Sequence, residues 1–125
     1  MEFFAIARVP ASVERLQQIA AGRLPQLCPS IERIVTVHDE DHVRAWTVWG
    51  EFDIRRLRIN GGVRFVLMDC ANALTWSLTT GHPPAPDAVV IHATINRTEQ
   101  DPEFVETIET FVEEWRQALE REFKG

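Results

Sequence analysis

The chain has 125 residues, 45 % of them hydrophobic and 26 % charged, the size and composition of one globular domain. That excludes a disordered chain and a multidomain enzyme. Its net charge of −6 is local: residues 99–125 hold nine of the nineteen acids and three of the thirteen bases, so the first 98 residues sum to zero.

Glu2 to Val9 is a short run rich in Phe, Ile and Val, which predicts a strand closed by Pro10. Val13, Leu16, Ile19 and Ala20 then recur at helical spacing, predicting one helix from Ser12 to a cap at Gly22. Arg23 to Ser30, with Pro25 and Pro29, reads as a loop with at most a turn around Leu27. The next 67 residues carry a regular series of turn signals and no helix signal, the mark of an antiparallel meander. Ile31 to Val37 and Val43 to Trp49 flank the polar tip His38-Asp39-Glu40-Asp41-His42. Phe52 to Ile59 and Val63 to Cys70 flank Asn60-Gly61, a strong hairpin signal because both residues accept positive φ. Leu74 to Thr80 alternates, residues 81–87 form a Pro-rich loop, and Ala88 to Ile95 makes a seventh strand. Asp101-Pro102 opens a long helix running to the carboxyl end. Phe104, Ile108, Phe111, Val112, Trp115, Leu119 and Phe123 form its apolar stripe, with glutamates on the opposite face.

The fold class is therefore α+β. Seven antiparallel strands at about 4.8 Å make a sheet near 30 Å wide, whereas one helix is only about 10 to 12 Å across. The economical packing is a sheet curved around the last helix, with the short helix closing part of the rim. This order of elements, with the entry Val9-Pro10-Ala11-Ser12-Val13, resembles the helix-grip superfamily of lipid-transfer START domains, pollen-allergen relatives and polyketide cyclases. The resemblance implies a hydrophobic ligand held between sheet and last helix. The short chain, with one clear helix after the first strand, departs from the pattern in a way that bears on cavity size.

Alternation along the strands places Arg44, Trp46, Phe65, Leu67, Asp69, Trp76 and Ile91 toward the interior, facing Phe111 and Trp115 of the helix. An aromatic lining with Arg44 and Asp69 as polar anchors suits an apolar small molecule. The same alternation puts Ala45, Thr47, Trp49, Val66, Met68 and Val90 on the outer face, too apolar to be wet, so a homodimer covering Trp49, Val66 and Met68 is expected. A second reading is a non-catalytic interaction module like the small acidic secretion chaperones, binding a partner through Trp49. A third makes Asp69 the acid of a cyclase or isomerase.

His38 and His42 have the spacing of a helical zinc motif, but their flanks form strands, so the tip reads as a solvated turn and no metal is expected. Arg55, Arg56, Arg58 and Arg64 lack interleaved aromatics in a chain of pI about 5.2, so no nucleic acid is expected. Without a GxSxG, phosphate-loop or dinucleotide glycine pattern, and with His82 and His92 lacking evident partners, neither cofactor nor catalytic residue is assigned. No apolar run nears the length of a membrane span and no signal-peptide pattern opens the chain, so no membrane insertion and a cytoplasmic location are expected. Cys28 and Cys70 read as buried free thiols.

Overall fold

The computed structural model describes the whole chain except His82, Pro84, Lys124 and Gly125. Parts of the predicted Pro-rich loop and of the carboxyl end thus lie outside the described residues, as does His82. Strands β1 (Glu2–Ala7), β2 (Ile31–Asp39), β3 (His42–Thr47), β4 (Gly50–Ile59), β5 (Gly62–Leu67), β6 (Thr75–Thr80) and β7 (Val89–Thr94) form one antiparallel sheet. Their order is β1-β7-β6-β5-β4-β3-β2, leaving β1 and β2 at the edges. The meander supplies five neighbouring pairs, and β1 closes on β7 to complete the sheet.

Helix α3 (Pro102–Glu122) lies across one face of the sheet, against β1 and β7 in particular. Asp101 caps it, its Oδ1 accepting from the Glu103 amide at 2.9 Å, and Pro102 takes the first helical position. Ile108, Phe111, Val112, Trp115, Ala118 and Leu119 are buried, as the apolar stripe predicts. Val43, Ile54, Phe65, Leu67, Trp76, Leu78 and Ile91 meet them from the sheet in a single core.

The predicted helix between Ser12 and Gly22 is broken. Helix α1 (Val13–Gln17) is only five residues long, a 3-10 turn covers Ala21–Arg23, and the single turn read around Leu27 is the four-residue helix α2 (Leu24–Leu27). Tertiary partners end α1. The Arg56 guanidinium donates to the carbonyls of Gln17 and Ile19, and the Ala21 amide donates to the Glu40 carbonyl at 3.0 Å instead of continuing the helix. Gln17 Nε2 in turn donates to the carbonyls of Ile59 and Gly62, pinning α1 to the β4–β5 hairpin.

At that hairpin only Gly61 takes positive φ, +88°, and Asn60 does not. Gly62 is required for a different reason: a Cβ there would stand 1.9 Å from the Leu78 carbonyl oxygen on β6.

Candidate functional site

The strand parity of β3 is the reverse of the expected one. Val43, Ala45 and Thr47 are buried, while Arg44 and Trp46 lie on the outer face, Trp46 38 % exposed. Both rows of this strand are apolar, so alternation alone does not say which is inner; the pairing of Val43 with Ile54 and of Ala45 with Phe52 decides it. Arg44 therefore anchors nothing inside. It pairs with Glu51 at 2.8 Å and Asp53 at 3.5 Å, and the Glu51 hydrogen bond holds its guanidinium above the usual range.

Trp49 turns inward with the buried row. Its Nε1 donates to Thr107 Oγ1 of α3 at 2.9 Å, and its ring meets Phe111 edge-on with centroids 5.3 Å apart. Val90 faces outward but is covered by Ala85, Ala88 and Ile6 of the same chain. Of the residues on which a dimer was expected, only Val66 and Met68 remain on the outer face, half-buried. Asp69 is also displaced. β5 ends at Leu67, and Asp69 sits exposed in the following turn at φ +61°, away from the interior.

Phe65, Leu67, Trp76, Ile91, Phe111 and Trp115 do come together in the interior, each buried. They are packed on one another. Phe65 stacks between Trp76 and Trp115, with centroids 5.4 and 6.1 Å away, and Phe111 meets Trp76 edge-on at 4.8 Å. The Nε1 atoms of Trp76 and Trp115 are nevertheless buried without an acceptor among the described residues. A donor left in this state costs about 1 to 3 kcal/mol.

Open space lies at the mouth of the grip. A groove of about 340 Å³ runs between Pro29, Ser30 and Val48 on one side and Glu106, Thr107, Thr110 and Glu114 of α3 on the other. Glu114 is its most constrained wall. Oε1 accepts from the Ser30 amide at 2.9 Å, Ser30 Oγ at 2.6 Å and the Cys28 thiol at 3.2 Å, while Oε2 has no protein donor among the described residues. Burial, and then the Glu114 charge, push the Cys28 thiol well up from its ordinary value. Cys70, expected to be buried, is half-exposed, and both cysteines are free. Sequence reasoning missed this groove because its residues come from three separate segments, two of them loops or turns.

The His38–His42 tip is an exposed turn at His38, Asp39 and Glu40, as expected, with two features the pattern did not show. The strands continue to the pair Asp39–His42, and Asp41 Oδ1 accepts from Arg56 Nε at 2.8 Å. The two imidazoles stand with centroids 4.4 Å apart, beside Asp53 of β4. His92, which lacked a partner in the sequence, stacks on Phe4 and lies 2.9 Å from Glu2.

No protein-family model matches the sequence, and no curated protein is found similar to it. Solved structures are similar over nearly the whole chain. The protein XoxI from Bacillus cereus gives a TM-score of 0.64 at 12 % identity over 98 % of this chain and 95 % of its own. An uncharacterized protein from Bacillus thuringiensis also gives 0.64 at 12 % identity, over the full length of both chains. A START superfamily protein from Mycobacterium smegmatis gives 0.59 at 15 % identity over 99 % of this chain and 96 % of its own. Likeness at these identities is likeness of fold, and the fold is the START-like helix grip expected from the element order. Among the described residues, no helix is long and apolar enough to cross a membrane.

Proposed function

From a helix grip whose interior aromatic rings pack on one another and whose rim carries an open groove, we propose that the domain binds a small amphipathic molecule in that groove. The apolar body rests on Pro29 and Val48, and a cationic or hydrogen-bond-donating head meets Glu114. The carrying observation is Glu114 itself: three donors on Oε1 hold the carboxylate in place, and Oε2 is left without a protein donor beside the groove. The groove has the size of small-ligand sites, which run from about 300 to 1,000 Å³. Glu103, Glu106 and Glu114 line it and, among the described residues, no Lys or Arg does, so it selects a donor over an anion.

A second reading keeps the interior site predicted from the sequence, lined by Phe65, Leu67, Trp76, Ile91, Phe111 and Trp115. The orphaned indole N–H groups of Trp76 and Trp115 favour it, since an acceptor-bearing apolar ligand entering between sheet and α3 supplies what they lack.

The four tryptophans make the two readings separable. In ¹⁵N-labelled protein, a medium-chain primary amine is expected to shift the indole resonance of Trp49, behind the groove, in a saturable manner. The matching carboxylic acid leaves it unmoved. Glu114→Gln is expected to weaken the amine by about tenfold or more, the range of a hydrogen bond to a charged group. A matching ketone that shifts Trp76 and Trp115 supports the interior seat instead. No saturable shift with any of the three overturns both.

A further inference from the structure

We propose that His38, His42 and Asp53 form a binding site for a divalent cation of the zinc class on the outer face of the sheet, separate from the groove at the mouth. The backbone creates the juxtaposition. A register shift between Val37 and Asp39 leaves His38 as the extra residue of β2 and brings its ring beside that of His42. β3 pairs His42 with Arg55 and Arg44 with Asp53, so His42 and Asp53 share one face as diagonal neighbours. One ligand atom from each of the three side chains lies within 4.8 Å of the other two.

Two of those atoms are in an unusual state. His42 Nε2 and Asp53 Oδ1 are shielded from solvent, have no hydrogen-bond partner among the described residues, and face one another at 3.7 Å. That separation is too long for a hydrogen bond. With zinc–ligand distances of about 2.0 to 2.2 Å, it subtends an angle of about 125° at a shared cation, and closing it by about 0.3 Å gives the tetrahedral angle. His38 is exposed, so a fourth position is open to water, as in zinc sites with three protein ligands.

Two arginines share this face, Arg44 and, opposite His42, the exposed Arg55. Arg44 lies 3.5 Å from the other oxygen, Asp53 Oδ2, but its charge is matched by Glu51 at 2.8 Å, and it orients the carboxylate from behind. Two imidazoles and one carboxylate suit zinc, nickel, copper or iron; calcium and magnesium call for oxygen ligands.

Titration calorimetry of the tag-free full chain with Zn²⁺, together with visible absorption on adding Co²⁺, tests the site. One equivalent is expected to bind, with the strong Co²⁺ absorption of a four-coordinate N/O site. His38→Ala, at an exposed position, and Asp53→Asn should each weaken Zn²⁺ by at least about tenfold while their circular dichroism stays native. His92→Ala should bind as the parent does, and a tenfold excess of Mg²⁺ should not displace Zn²⁺. The proposal is overturned by the absence of binding up to about 1 mM Zn²⁺. It is equally overturned by unchanged affinity in both His38→Ala and Asp53→Asn, or by thiolate-to-cobalt absorption that assigns the metal to Cys28 or Cys70.

Discussion

Arg56 carries its charge into the end of the grip that α1 closes. It is 4 % exposed, and Asp41 Oδ1 and the carbonyls of Gln17 and Ile19 accept from it. Arg55, one residue earlier, points to the opposite face and is exposed. Arg56→Met leaves two helix-end carbonyls and Asp41 without their donor and is expected to lower stability by about 3 kcal/mol. Arg55→Met should stay within about 0.5 kcal/mol, and urea melts of the two variants make the comparison. Cys28 offers a second test at this scale. An unfolded thiol ionises near pH 8.5, whereas burial and the Glu114 charge hold the native thiol protonated to higher pH. Above about pH 8.5 the unfolded state therefore binds fewer protons than the native one. Stability should fall as pH rises there, by at most about 1.4 kcal/mol per pH unit, and should be insensitive to this group below. Urea midpoints at pH 7.5 and 9.5 should show a smaller drop in Cys28→Ala than in the parent.

α3 and β3 show opposite sides of pattern reading. The α3 stripe has one apolar and one acidic face, so its orientation follows from the sequence alone. Its cap is equally legible: Asp101→Ala removes the bond to the Glu103 amide and should cost about 1 kcal/mol, visible as a lower melting temperature. In β3 the rows Val43, Ala45, Thr47 and Arg44, Trp46, Val48 each contain apolar side chains, and the strand's tryptophan lies on the outer one. Arg33 sits over the Trp46 ring at 5.7 Å and covers part of it. Choosing the row with Trp46 as interior reverses Arg44, Trp46 and Trp49 together, because a strand has period two. The argument for a dimer through Trp49 falls with that choice, and Trp49→Asp is a core substitution rather than a surface probe.

At the scale of the molecule, the sheet is uneven. β2 is an edge strand with three register shifts against β3 and is largely exposed, whereas β5, β6 and β7 are paired on both sides beneath the core. Native-state hydrogen exchange should therefore be fastest in β2 and slowest in β5 to β7; uniform protection across the sheet would contradict this picture. The same unevenness explains the two candidate sites. The groove forms where α3 meets Pro29 and Val48, and the His38–His42–Asp53 cluster forms where β2 slips register. Neither place has a periodic signal, because loops and bulges interrupt the repeat that makes strands readable.

The amino-acid sequence by itself determined the number and order of strands, the last helix with its cap and buried stripe, and through them the helix-grip architecture. Each is a matter of local periodicity and turn chemistry, which neighbouring residues express without distant partners. Only the tertiary structure decided which row of β3 faces inward, where α1 ends, how the interior aromatic rings pack on one another, and which histidines and carboxylates meet. These depend on register and on contacts between residues far apart in the chain, such as Arg56 with Gln17 or Ser30 with Glu114. A long-range pairing is settled by packing and by the need to satisfy buried polar groups, neither of which a short stretch of sequence contains.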